Sequence, residues 1–232
     1  FISAAIAGDL SLDDLIKNVQ ANQSKIRDMY AESTTTINSN ITIPGMQNKG
    51  PQKMIQKTKI WSKGEDKQKM EIDSPAHQIS ITNGDKMAII NPDTGQKMVQ
   101  DLKKMRQQSG LSDSSNKAMS LEKVKQMFDM KVTRQGADYL MSGVPKKADK
   151  LIGKIEFYID TDKWAPDKVL IYNTKGGLMS QSDVEYQKIS DIWVPVKNLT
   201  KISGPSGKMD IAVQFSNIRI NKGIADSVFK ID

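Results

Sequence analysis

The sequence predicts an α+β protein that is mostly β, with antiparallel strands presenting one apolar face. Period-two alternation is the first observation behind this. Ile155, Phe157 and Ile159 alternate with Lys154, Glu156, Tyr158 and Asp160, and Met209, Ile211, Val213 and Phe215 alternate with Asp210, Ala212, Gln214 and Ser216. Successive side chains of a strand point to opposite faces, so each run has an apolar and a polar side. The second observation is turn spacing: Lys63-Gly64-Glu65-Asp66, Ser74-Pro75, Asn83-Gly84 and Asn91-Pro92-Asp93-Thr94-Gly95 leave only short runs between them. Links this short join antiparallel neighbours, because a parallel pair needs a long crossover.

Taken in order, Ser11 followed by Asp14 is a capping-box-like start, and Leu12, Leu15, Ile16 and Val19 recur on one helical face, predicting a helix from Leu12 to about Lys25. From Met29 the period changes to two, and β-branched residues gather in Thr34-Thr35-Thr36-Ile37 and Ile41-Thr42-Ile43 before Pro44-Gly45, which reads as a long first strand. Short strands follow at Gln52 to Trp61, Lys67 to Ile72, Gln78 to Thr82, Lys86 to Asn91 and Gln96 to Val99. Asn83-Gly84 predicts a type I′ hairpin, in which both central residues take positive φ. The stretch 101–128 breaks the pattern with two helical pieces around Ser109 to Asn116. The second piece is capped by Ser120 and presents Leu121, Val124, Met127 and Phe128. Strands resume at Asp129 and run in hairpins to the end. No linker divides the chain, so residues 9–232 read as one domain with 101–128 as a helical insertion.

Hydrophobic residues make up 38% and charged residues 26% of the 232, enough for a core and too little net charge to impose disorder. The net charge is +7, but Arg27, Arg106, Arg134 and Arg219 are the only arginines among 34 basic residues. Nucleic-acid binding wants arginine and aromatics on one stripe. Scattered lysine is a solvated face that suits transient contact with an anionic membrane surface. Absence of cysteine excludes disulfides, thiol catalysis, cysteine-ligated zinc and an acylated N-terminal cysteine. Ala5-Ile6-Ala7 before Gly8 has the form of a signal-peptidase site, so residues 1–8 read as a signal-peptide remnant or a disordered N-terminus, and the protein as exported. No run reaches the roughly 20 apolar residues that span a bilayer, and a soluble body is expected.

Little here supports chemistry. His77, the one histidine, sits next to Pro75 in a turn, and no His/Asp/Glu cluster surrounds it in sequence, so it reads as an exposed turn residue. The chain lacks G-x-S-x-G. Gly204-Pro205-Ser206-Gly207-Lys208 falls short of a phosphate loop, because Met209 follows the lysine and a strand comes next, so it reads as a hairpin turn. Asp160-Thr161-Asp162 has alternating carboxylates without the other calcium-loop ligands. A non-enzymatic protein without metal or cofactor is expected.

The apolar inventory says more. The chain has 13 methionines, the side chain best able to repack around ligands of irregular shape. The residues expected to line an apolar cavity are Met70, Ile72, Met87, Ile89, Met98, Ile155, Phe157, Ile159, Met209, Ile211, Val213 and Phe215 from strands, with Met105, Leu121, Val124, Met127 and Phe128 from the helical lid. Met119 belongs to the same stretch.

A resemblance gathers these features. The helix opening Leu12-Asp13-Asp14-Leu15-Ile16, the threonine-rich strand, the element Ile155 to Asp160 with Trp164-Ala165-Pro166-Asp167-Lys168-Val169, then Ile192-Trp193-Val194-Pro195 and the Phe215 to Phe229 ending follow one another as in the periplasmic outer-membrane lipoprotein carrier and sorting superfamily, which this chain resembles from about Gly8 onward. The resemblance implies an incomplete, half antiparallel β-barrel of about eleven strands with helices covering its concave face. It also implies a periplasmic, monomeric carrier of lipid or lipoprotein acyl chains. The alternative is a lipid-sensing regulatory or partner-binding protein on the same fold, with a membrane-associated protein as the partner. The arginine that holds the carrier's lid closed has no counterpart motif at Arg27 or Arg106.

Overall fold

Helix α1, Leu12–Gln23, starts where the Ser11 hydroxyl accepts a hydrogen bond from the Asp14 N–H at 3.1 Å, and it buries Leu15, Ile16 and Val19. Its cap and its stripe are those the sequence predicts. The computed structural model describes residues 10–41, 50–109 and 121–231. The expected turn at Pro44-Gly45, the loop Ser112 to Asn116, Met119, the Ser120 cap and residues 1–8 lie outside them. The chain divides into two units, one of Phe1–Ser24 with Met119–Val184 and the other of Lys25–Ala118 with Glu185–Asp232.

In the first unit α1 is joined by α3, Leu121–Met127, and by strands β7 (Phe128–Gln135), β8 (Asp138–Pro145), β9 (Ile152–Asp160) and β10 (Ala165–Asn173), with the start of β11 (Leu178–Ile189). Register places Gly143, Met141 and Tyr139 opposite Ile155, Phe157 and Ile159, which in turn face Ile171, Val169 and Pro166. Met141, Ile155, Phe157 and Ile159 form one core with Leu15, Val19, Val124 and Phe128, and Tyr139, Val169 and Ile171 pack against it. Asp13 pairs with Lys125, and the Gln20 side chain donates to Glu122 at 3.4 Å, tying α1 to α3. Phe128 is the first residue of β7, not part of a lid helix as expected, because the period of two (Phe128, Met130 and Val132 against Asp129, Lys131 and Thr133) begins with it.

The second unit holds β1 (Asp28–Ser39), β2 (Gln52–Lys63), β3 (Lys67–Ser74), β4 (Gln78–Asn83), β5 (Lys86–Ile90), β6 (Lys97–Asp101), helix α2 (Leu102–Ser109), the end of β11, β12 (Ile192–Gly204) and β13 (Gly207–Ile220). Hydrogen-bonding order runs β6-β5-β4-β3-β2-β1-β13-β12-β11-β10-β9-β8-β7, an open antiparallel sheet. The described residues form thirteen strands where about eleven were expected. Short links, each reversing the chain, make a separate strand of every alternating run. Two of these turns differ in kind. Ser190 and Asp191 both take positive φ, as type I′ requires. At the other, Asn83 pairs with Lys86, so Gly84 and Asp85 are central, and only Gly84 is positive. That pattern belongs to type II′ rather than the expected I′. Gly204 pairs with Gly207 across Pro205-Ser206, the expected hairpin turn.

The ending is held by polar contacts. Asn217, at a φ of 51°, sits in a bulge of β13 that shifts its register against β1 between Tyr30 and Glu32, and its amide donates to Glu32 at 2.9 Å. The buried Asp28 carboxylate accepts from the N–H groups of Lys222 and Gly223 at 2.9 and 3.2 Å, while the Asn221 side chain accepts from Arg27 N–H at 2.8 Å. A one-turn 3-10 helix, Asp226–Phe229, then packs on β3 and β4. Lys63 and Lys67 reach Asp226 at 2.8 and 3.1 Å and hold its carboxyl below the usual range. Asn83 donates to the Phe229 carbonyl at 3.2 Å, and the Phe229 side chain is fully buried.

Candidate functional site

Register decides which predicted apolar residues meet. In the second unit directly opposed residues share a face, so Ala31, Ile60, Met70, Ser80, Ile89 and Met98 form one row across six strands. Phe215, Ser33, Thr58, Ile72 and Gln78 form the next, and Ile220, Met29, Ser62, Gln68, Thr82 and Met87 a third. Val213 faces Thr35, Ile211 faces Ile37 and Met209 faces Ser39 on the same side. Nine of the predicted residues thus fall on one face of this unit: Met70, Ile72, Met87, Ile89, Met98, Met209, Ile211, Val213 and Phe215. They are half-buried, except Met98, which is 50% exposed.

Residues absent from the prediction give this face its relief. Ala31, Ser33 and Thr58 are small and buried, whereas Ile60, Ile72 and Phe215 rise beside them. The run Thr34-Thr35-Thr36 signalled a strand, but only pairing shows small side chains between bulkier rows. Two open hollows lie in this unit. One of about 460 Å³ lies among β11, β12 and β13, lined by Ile189, Val196, Phe215 and Ile218 together with the polar Glu185, Gln187, Lys197, Gln214, Ser216 and Asn217. The ion pair of Glu185 and Lys197 there measures 2.7 Å. The other, about 540 Å³, surrounds the Ile89 and Met98 pair near Asn91, Gln96 and Lys97. At the β12 end Ile192, Val194 and Ile220 close into a buried cluster with Ile26, Met29, Ile189 and Ile218.

The remaining predicted residues are elsewhere. Ile155, Phe157, Ile159, Val124 and Phe128 are buried in the core of the first unit, with Leu121 packed against it. Met127 and Met105 point outward, 45% and 46% exposed. On α3 the burial therefore belongs to Val124 and not to Met127.

The reverse faces are mixed: in the second unit a polar and aromatic row over β13, β1, β2 and β3 runs on through Lys69 into the buried Ile81 and Ala88 and the exposed Val99. Opposed residues Arg219, Tyr30, Trp61 and Lys69 form a row in which Tyr30 and Trp61 lie 5.2 Å apart, Lys69 sits 5.2 Å over Trp61 and Arg219 5.5 Å over Tyr30. Burial, then the Glu32 carboxylate accepting its hydroxyl at 2.8 Å, pushes the Tyr30 phenol up to about 12. In the first unit the buried Glu156 meets Lys154 at 2.9 Å and accepts from Tyr172 and Tyr158 at 3.1 and 3.3 Å. Burial pushes its carboxyl up, but Lys154 and the two hydroxyls together outweigh this and leave it below the ordinary value. His77, expected as an isolated turn residue, is brought between two carboxylates, with Nδ1 3.0 Å from Asp93 and Nε2 3.9 Å from Asp73, and stays 46% exposed. Asp160 accepts from the Asp162 and Lys163 N–H groups at 2.9 and 3.0 Å and pairs with the Lys163 ammonium, which accounts for it as a turn. Among the described residues no helix is long and apolar enough to cross a membrane.

The backbone matches solved structures over nearly its full length. A DUF1329 family protein from Desulfovibrio piger aligns with a TM-score of 0.61 at 18% identity, covering 94% of this chain and 95% of its own. A LolA superfamily protein from Nitrosomonas europaea gives 0.53 at 13% identity, covering 93% and 97%. A domain assigned to outer-membrane lipoprotein sorting, from Vibrio parahaemolyticus, gives 0.55 at 14% identity, covering 92% and 95%. This chain has the fold of the LolA superfamily. No family model and no curated protein matches the sequence. At these identities the LolA-like likeness speaks for the fold, and the apolar face must carry any statement about a ligand.

Proposed function

We propose that this chain is an exported, non-enzymatic binding protein that carries lipid or lipoprotein acyl chains on the apolar face of its second unit, in outer-membrane lipoprotein or lipid sorting. The observation that carries the reading is the register, which aligns apolar residues from β3, β5, β6 and β13 on one half-buried face instead of sealing them in a core. The LolA-like fold and the lipoprotein-sorting assignment of one similar protein support it.

The energetics are sufficient. Burying acyl carbons contributes about 0.8 kcal/mol per CH₂, so a chain of roughly 14 carbons, even partly enclosed, gains on the order of 10 kcal/mol before ordering costs. Release needs a soft grip, and Met70, Met87, Met98 and Met209 supply contacts that repack without large barriers. Surface lysines provide weak docking to anionic headgroups.

The test is native mass spectrometry of the protein purified from an exporting host, with organic extraction of whatever travels with it, followed by lipid transfer between donor and acceptor vesicles. A discrete added mass that extracts as lipid or acylated peptide, with faster transfer, supports the carrier. A bound lipid without transfer favours the lipid-sensing alternative. A clean protein mass with no uptake of added lipid rejects the carrier and favours the partner-binding alternative.

A further inference from the structure

Among the described residues strand β6 ends the hydrogen-bonding order of the second unit, and its composition is unusual for an edge strand. Lys97, Met98, Val99 and Asp101 are all exposed, Val99 at 52%. An open apolar edge is a template for another strand unless charge or irregularity blunts it. Backbone bonding fixes which groups it offers. The Leu102 N–H donates to the Asp85 carbonyl at 2.7 Å, and the Asn91 N–H donates to the Gln96 carbonyl at 2.9 Å, so even-numbered residues here turn their backbone groups toward β5. By alternation, Lys97, Val99 and Asp101 turn theirs to the open side.

We propose that β6 is a self-pairing edge, through which two copies of this chain join antiparallel about a two-fold axis at Val99. In that register Val99 meets the partner's Val99, and Lys97 meets the partner's Asp101 on both sides of the axis. All three pairs are of the class that exchanges two backbone hydrogen bonds. Moving the centre one residue either way opposes Lys97 to Val99, or Val99 to Asp101, and loses both ion pairs. The two charges that would repel a random strand are thus complementary to a second copy. On the other face Met98 comes beside the partner's Gln100, so the row that runs from Ala31 through Met70 and Ile89 to Met98 continues into a second molecule. This inference rests on edge geometry alone and stands apart from the lipid reading; it replaces the monomer that the family resemblance implies.

Sedimentation equilibrium of the full chain tests it. The expected mass is twice the 25.8 kDa of one chain. Lys97→Asp and Asp101→Lys each oppose like charges at both ends of the strand and should each weaken the dimer at least about tenfold. Mixed in equal amounts they should recover it, since every opposed pair is again of opposite sign. Asp101 also caps α2 by accepting from the Lys104 N–H at 3.0 Å, so recovery on mixing shows that its variant still folds. Val99→Pro removes a donor that faces the open edge and leaves the β5 ladder intact, so it should give a monomer with an unchanged unfolding curve. A wild type that stays monomeric at about 0.1 mM, a dimer that survives Val99→Pro, or charge variants that fail to recover on mixing would overturn the proposal.

Discussion

Replacing Ile211 by aspartate separates a ligand face from a core. Ile211 lies in β13 opposite Ile37 of β1 and Thr200 of β12 and is half-buried. Complete burial of an isoleucine is worth about 1.5–3 kcal/mol, so the half still exposed can contribute about 1 kcal/mol to an acyl chain laid over it. A carboxylate adds the cost of losing water. That cost is capped near 4 kcal/mol at pH 7, because an aspartate of ordinary pKa, about 3.9, protonates once desolvation exceeds it. The sum, at most about 5 kcal/mol, predicts affinity for a fluorescent fatty acid lower by up to roughly 10³ to 10⁴-fold at pH 7, with partial recovery near pH 4. Stability should fall by only about 1–1.5 kcal/mol in urea, since the side chain gives up partial burial. Ile159→Ala is the control: Ile159 is fully buried in the other unit, so its loss should cost about 2–5 kcal/mol of stability and leave the affinity of the folded fraction unchanged. An Ile211→Asp protein that folds and binds the fatty acid like wild type would refute the assignment of this face.

Three further outcomes are expected. Phe229→Ala should cost about 3–5 kcal/mol, read as a lower urea midpoint, because the ring is fully buried in a 3-10 turn near the end of the chain; a change below about 1 kcal/mol would mean the ending is not part of the cooperative unit. Gly207→Ala should destabilise by at least about 1–3 kcal/mol, since Gly207 has a φ of 134° and an added Cβ would lie 2.7 Å from the Asn40 carbonyl oxygen; equal stability would show that this turn relaxes freely. Glu156 has a folded pKa below its ordinary 4.5, so its contribution is present above that value and is lost as pH falls through and below it. Glu156→Gln should therefore cost about 1–2 kcal/mol at pH 7 and flatten the acid limb of a stability profile between about pH 5 and 3. An acid limb identical to wild type would remove Glu156 from the account.

Much of the fold is legible because its signals are local. The Ser11 cap, the run Lys67 to Thr82 cut by Ser74-Pro75, and the Pro205-Ser206 turn each act within a few residues, and each element forms close to where its sequence puts it. Errors fall where two local signals compete. Met127 and Phe128 continue a helical stripe when read from Leu121 and begin an alternating one when read toward Val132. The packing of Phe128 in the first core resolves the choice in favour of the strand. Of the two carboxylates beside His77, Asp73 is near in sequence, but the nearer in space, Asp93, lies 16 residues away and reaches it only through sheet pairing.

The sequence by itself determined the strand-rich character, the turns and which side of each strand is apolar, because alternation and turn chemistry are properties of neighbouring residues. It could not tell Ile155, Phe157 and Ile159 from Met209, Ile211, Val213 and Phe215, since both read as apolar every second residue. Tertiary structure decided that the first set is sealed in a core with α1 and α3, whereas the second forms part of a half-buried face. Burial is fixed by whatever packs across the face, and those contacts join segments more than a hundred residues apart, which no local pattern encodes.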